Sequence, residues 1–296
     1  MRRHVVCLMT AWLLASASTS SDAQERRAPR RPEREGGARA EGATVAGIAN
    51  PRLVDLTHDL SSATTAWPGS KQGFRLDTIT AGRNAEGRYA ALFALSLPEH
   101  FGTHLDAPHH FDEHGATPAQ IPLWRLIGPA VVIDISDSAA ANRDYTLSVS
   151  DVERFEAEHG RIPENTIVLV RTGYAAYWSN RAKYFGWDST RTPIQLHFPS
   201  LGEAAVRVLV QDRRIAAVGV DVASTDAGSA TTFPVHRVLG EAGVPGFESL
   251  ADLTELPPTG AYVVALAPRI VGGSGGPLRA VALMPRRDRG NRPNRR

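Results

Sequence analysis

The chain has 296 residues, 42% of them hydrophobic, enough for one large α/β domain and too apolar for a disordered or fibrous class. Its formal net charge of +2 hides an asymmetry: eight Arg stand against five acidic residues in 1–43 and six Arg against one Asp in 286–296, so residues 44–285 carry −6. A folded basic face for nucleic acid is therefore not expected, and the Arg-rich ends would at most associate nonspecifically with anionic surfaces.

Residues 1–24 have the layout of a secretory signal: Arg2, Arg3 and His4, an apolar run from Val5 to Ala17, then small residues around Ala15-Ser16-Ala17 and Ser21-Asp22-Ala23. The run is too short to span a bilayer as a stable helix, so no membrane insertion is expected once it is cleaved, an uncleaved anchor being the competing reading. Export, to a periplasm or beyond, is the expected destination. Cys7, the single cysteine, lies inside this run, which leaves the mature chain without disulfide, thiolate nucleophile or thiolate ligand. Residues 25–50 read as a disordered linker, 51–285 as one folded domain and 286–296 as a disordered basic tail.

Within the domain, Leu53 to Leu60 alternates apolar and polar residues as a strand does, and leads to a turn at Trp67-Pro68-Gly69. Arg75 to Thr80 and Arg88 to Leu97 predict a hairpin that delivers the chain to His100. Pro129 to Ile135, Thr166 to Arg171 and Ile215 to Val222 are apolar strands expected to be buried on both faces. Between them the sequence predicts a helix from Ser150 to His159 and another running to Asp212, started by a Ser200/Glu203 capping box. Alternating strands and helices imply an α/β fold with a parallel or mixed sheet. His236 opens a helical stretch, Glu248 lies near a turn, Tyr262 to Leu266 and Leu278 to Leu283 close the sheet, and Gly272 to Gly276 reads as a turn between them. It lacks the spacing of a phosphate loop. Polar groups at strand ends, Arg171, Thr172, Asp221, Ser224 and Asp226, sit where open α/β sheets place ligands, although Ser224 and Asp226 also suit ordinary turn and capping work.

The chemistry concentrates in His100 to Phe111, HFGTHLDAPHHF, with four histidines and one aspartate in twelve residues. His100, His104, Asp106 and His110 are spaced by even numbers, which an extended segment would turn to one face. Gly102 and Pro108 argue against the helix that would also pair His100 with His104. Imidazoles with a carboxylate suit Zn²⁺, Mn²⁺ or Fe²⁺, and the lack of thiolates favours a catalytic over a closed structural site. Surface histidines on a polar loop are the plain alternative. Alternation points His109 outward. Trp67, Phe101, Tyr174 and Trp178 are candidate aromatic walls, with Trp67 and Phe101 preferred for contact with substrate.

This stretch resembles the HxGTHxDxPxH signature of the metal-dependent cyclase family, which includes kynurenine formamidases and isatin hydrolases. His100, Gly102, Thr103, His104, Asp106, Pro108 and His110 all match. The likeness runs over roughly 52–285, through DLTHDL, VLVRTGY, VGVDVASTD, FPVHRVLGEAGVPGFESLADL and GGSGGPLRAVAL. By resemblance, His100, His104 and Asp106 hold one metal, Asp106 can bridge to a second held by His236 and Glu248, and His110 is the acid/base. The resemblance also implies a single swivelling β/β/α domain, one or two ions of Zn²⁺ or Mn²⁺, and a homodimer or larger assembly. The reaction expected is metal-assisted hydrolysis of an aryl formamide or cyclic amide, with lactone hydrolysis or non-catalytic metal or ligand binding as the alternatives.

Overall fold

The computed structural model describes residues 44–45, 47–187 and 195–285. The expected leader, most of the linker and the basic tail lie outside the described residues. Eleven strands matter for the site: β1 (Arg52–Asp55), β2 (Arg75–Arg83), β3 (Tyr89–Ser96), β4 (His104–Asp106), β5 (Ile127–Asp134), β6 (Ile167–Arg171), β7 (Ala217–Val220), β8 (Gly246–Glu248), β9 (Ala261–Leu266), β10 (Gly275–Pro277) and β11 (Arg279–Met284). With them go helices α1 (Val149–His159), α2 (Glu203–Arg207) and α3 (Pro234–Glu241).

All but β2 and β3 join one nine-stranded sheet in the order β10-β4-β8-β7-β6-β5-β9-β11-β1. The centre is parallel, β5 to β6 to β7 to β8, and both flanks are antiparallel. The parallel strands are apolar up to their last residues, Asp134, Arg171 and Glu248, because both of their faces are covered. Val131, Ile133, Val168, Val170, Val218 and Val220 pack with the helices through Val152, Phe155, Val206 and Val238. Their alternate neighbours, Ala130, Val132, Ile167, Leu169 and Ala217, face a second cluster with Leu105, Phe247, Val263 and Ala280. Strand-helix alternation thus gives the mixed α/β sheet that the sequence implies. Among the described residues, no helix is long and apolar enough to cross a membrane.

Several expected boundaries shift. The first strand stops at Asp55: beyond it the Thr57 hydroxyl, in place of backbone, meets the Ala280 N–H and C=O of β11, and the His58 N–H turns to the Thr103 hydroxyl. α1 begins at Val149, one residue before the expected Ser150, since Ser148 and Asp151 form the reciprocal capping box, and Gly160 ends the helix. No box joins Ser200 and Glu203. Gly202 caps α2, and the Ser200 hydroxyl is committed to Ser224 O and Thr225 O at 2.5 and 2.9 Å. Helix α2 relaxes into a wide turn, Val208–Asp212. Half of the glycine run is no turn at all: Gly275–Pro277 is edge strand β10, paired to β4.

The predicted hairpin forms as β2–β3, its first strand running on from Thr80 to Arg83, and among the described residues its two strands pair only with each other. Every residue of both strands is exposed, including Ile79 at 61%, Tyr89 at 64% and Leu95 at 55%.

Candidate active site

The site is built first by strand register. In antiparallel pairing, residues directly opposite bring their side chains within about 4.5–5.5 Å. Strand β8 lies against β4 with Glu248 opposite His104 and Gly246 opposite Asp106. Glu248, nearly 150 residues away in sequence, is therefore delivered to His104 by the ladder. The His104 Nδ1–H donates to Gly102 O at 2.9 Å, which turns its Nε2 towards Asp106 Oδ1 at 3.2 Å and Glu248 Oε2 at 3.4 Å. Gly102 can serve because it adopts φ +66°, a left-handed bend that glycine takes freely.

Helix α3 supplies the fourth member. Asp226 accepts from the N–H groups of Val235 and His236 at 2.9 and 3.0 Å, satisfying two donors at the helix start, and binds His236 Nδ1 at 2.6 Å. Its opposite nitrogen, Nε2, then faces Asp106 Oδ2 at 3.0 Å and Glu248 Oε1 at 3.2 Å. Glu248 Oε1 is held in turn by Thr225 N–H at 2.6 Å. Asp226, whose turn and capping role the sequence favours, also orients His236, so one side chain does both tasks. The signal for it in the sequence was its place just past a strand end, ten residues before a histidine at a helix start.

His104, Asp106, His236 and Glu248 are all buried. Two carboxylates this deep need positive charge between them. Burial works against a charged His104, but the hydrogen bond and charge of Asp106 and the charge of Glu248 outweigh it and raise its pKa to about 9. His236 is likewise raised well above its ordinary value, with Asp106, Asp226 and Glu248 overcoming burial. Asp106 is held well below the usual carboxylate range, because bonds from His100, His104 and His236 overcome burial. The arrangement fits a divalent cation: each imidazole has one nitrogen fixed by an acceptor and the other turned to carboxylate oxygens, as metal-ligating histidines do.

His100 joins from the bend before β4, with Nδ1 at 2.6 Å from Asp106 Oδ1. His110 lies on a 3-10 turn, Pro108–His110, and its ring stacks on His100 with centroids 3.9 Å apart. The four evenly spaced residues do converge, but through a bend, a three-residue strand and a turn instead of one extended run. Two groups bring their ligating atoms within 4.8 Å of one another, His100–Asp106–His110 and His104–Asp106–Glu248, with Asp106 in both. Partial burial lowers the pKa of His110 to about 4, with Asp106 pulling the other way and the neighbouring imidazoles adding to the drop.

These groups open into a cavity of about 300 Å³ walled by Trp67, Phe111, Phe185 and Phe233. Trp67 is 40% exposed and meets Phe185 edge-on, as a wall residue would. Phe101 is not part of the wall: it is 4% exposed and does not line the cavity. Tyr174 belongs to the core and Trp178 stacks on His58 at 4.0 Å. His109 is not a simple outward residue either; it is half-buried, and its Nδ1 is enclosed without a hydrogen-bond partner. Of the aromatic walls that sequence reasoning missed, Phe185 comes from a segment with no local sign of a site, whereas Phe111 ends the histidine motif and Phe233 lies three residues before His236.

The Cyclase family model matches residues 54–227. Isatin hydrolase of Roseibium aggregatum is 34% identical over 211 residues, covering 69% of this chain and 78% of the relative. Kynurenine formamidase of Salinibacter ruber is 31% identical over 229 residues, covering 77% and 96%. Among solved structures, an isatin hydrolase bound to the product analogue thioisatinate superposes with a TM-score of 0.72 at 32% identity, covering 80% of this chain and 93% of that one. The α/β single domain with its mixed sheet is thus the fold that the resemblance implied. Motif, sheet and matched length agree, and the chain belongs to the cyclase family.

Proposed function

We propose that this chain is a metal-dependent hydrolase that breaks the amide C–N bond of a compact aromatic substrate, linear or cyclic. The observation that carries the reading is the buried set His104, Asp106, His236 and Glu248 at the base of an aromatic-walled cavity. The relatives' names, isatin hydrolase and kynurenine formamidase, supply the substrate class, a cyclic amide and an aryl formamide. His104, Asp106, His236, Glu248 and His100 would hold one or two ions of Zn²⁺ or Mn²⁺, with Asp106 shared. Such an ion, when bound, ionises water near neutral pH and polarises a carbonyl.

The chain's own contribution is placement and proton movement. Trp67, Phe111, Phe185 and Phe233 line the cavity and would lie against a flat ring. His110, neutral at pH 7 by its low pKa, takes the proton released as water adds to the carbonyl carbon. It returns that proton to the nitrogen as the C–N bond breaks, so a linear substrate releases a neutral amine and a cyclic one opens with the amine still attached. Metal-stripped protein is expected to hydrolyse neither isatin nor N-formylkynurenine, and reloading with Zn²⁺ or Mn²⁺ to restore at least one activity. Turnover of a simple lactone alone would shift the substrate class to esters, and full activity after chelation would end the metal-dependent reading.

The exposed β2–β3 hairpin supports self-association as well. An isolated hairpin is marginal in water, and one carrying Leu76, Ile79, Tyr89, Leu92 and Leu95 in the open needs a cover. A second copy of the chain is the proposed cover. Light scattering should return the mass of a dimer or larger; a single-chain mass would refute it.

A further inference from the structure

The metal ligand set leaves Glu99, Ser274 and the glycines around Ser274 without a role, yet they converge on His100. Glu99 Oε2 accepts both the N–H of Ser274 at 3.0 Å and its hydroxyl at 2.8 Å. The Ser274 Oγ lies 2.8 Å from His100 Nε2. A serine hydroxyl has one proton to give. With that proton on Glu99, the oxygen accepts from His100, so Nε2 keeps its proton when a cation displaces the one that Nδ1 shares with Asp106 Oδ1 at 2.6 Å.

The glycines make this approach possible. A Cβ on Gly275 would fall 2.6 Å from His100 Cε1 and 2.5 Å from Leu105 O, closer than packed atoms come, and a Cβ on Gly273 would collide with Glu99 Oε1. The loop is pinned to the ligand strand as well, through Ala107 N–H to Ser274 O at 2.9 Å. A run that looks like a plain turn in the sequence thus encloses the His100 ring on its outer side.

We propose that Glu99 and Ser274 are positioning residues for His100, fixing Nε2–H so that Nδ1 is the nitrogen offered to a bound divalent cation. Gly273 and Gly275 are the side-chain-free frame that lets the imidazole and carboxylate seat. This inference rests on the metal-dependent reading. Groups that orient a metal-bound histidine typically contribute about 10–100-fold to metal affinity.

The test is Zn²⁺ affinity, by competition with a chromophoric chelator, in wild-type protein, Ser274→Ala, Glu99→Ala and Glu99→Gln. Ser274→Ala and Glu99→Ala should bind Zn²⁺ about 10–100-fold more weakly, with unchanged melting of the metal-free protein. Glu99→Gln keeps an acceptor oxygen and should recover most of the loss. In ¹⁵N-labelled, zinc-loaded wild type, His100 Nε2 should carry the proton. Wild-type affinity in Ser274→Ala, or a His100 protonated at Nδ1, would overturn the relay while leaving the hydrolase reading intact. A wild-type protein that takes up neither Zn²⁺ nor Mn²⁺ would instead defeat the metal-dependent reading itself.

Discussion

Alanine at His104 is expected to remove bound metal and hydrolysis together. Its Nε2 faces both Asp106 and Glu248, so the substitution deletes the group that the two buried carboxylates share on the strand side. Loss of metal assistance costs several kcal/mol of transition-state stabilisation, so kcat/KM should fall at least about 10³-fold, equivalent to about 4 kcal/mol. Elemental analysis after dialysis, alongside the hydrolysis assay, checks both halves; a fully metallated or fully active His104→Ala protein would remove His104 from the ligand set. The pH dependence follows from the same residue. With a pKa of about 9 in the metal-free protein, His104 holds a proton at pH 7 that a cation must displace. Wild-type affinity should therefore rise with pH up to about 9, and Zn²⁺ binding at pH 7 should release protons. In the metal-free protein the raised pKa has the opposite effect on folding: the stabilisation is full below the ordinary value of 6.5 and fades as pH climbs through about 9.

His110→Ala is expected to keep its metal and lose turnover by about 10²–10⁴-fold, the usual contribution of a positioned acid/base. Because the His110 pKa is lowered to about 4, the ring is already neutral at pH 7 and its availability as a base falls only as pH drops through about 4. Activity lost between pH 7 and 5 should accordingly follow metal release, and the acid limb of the pH profile should match that of metal content. His110 also sits within ligating distance of His100 and Asp106. Metal content therefore decides between its two possible tasks: a metal-free His110→Ala protein makes it a ligand, and a metallated, inactive one makes it the proton carrier.

The sequence carried the first half of this site almost completely and the second half hardly at all. His100, His104, Asp106 and His110 are local, and their spacing alone announces a shared task. His236 and Glu248 have no local pattern; they become legible only through family resemblance or through the register that sets Glu248 opposite His104. Asp226 and Ser274 were hidden for a different reason: a capping aspartate and a serine among glycines look the same in sequence whether or not an imidazole lies beside them. Phe101 follows His100 directly yet is buried and does not line the cavity, since neighbours along an extended stretch point to opposite faces. The parallel strands were the readiest part of the fold, since burial on both faces leaves an unbroken apolar run. Caps were less secure, and Ser200 shows why: its hydroxyl has carbonyls of a neighbouring loop to satisfy, which a one-dimensional pattern does not register.

Strand β4 is only three residues long, with β8 on one side and β10 on the other. So short a ladder gives its alignment little help from hydrogen bonding alone. A slip of β8 by one residue would turn Glu248 to the opposite face of the sheet, against Leu105 and Phe247's apolar cluster, and bury a carboxylate with no partner. The charges gathered for catalysis therefore also act as a key for folding: only the correct alignment lets them cancel, and the sheet edge that carries the ligands is the edge they proofread.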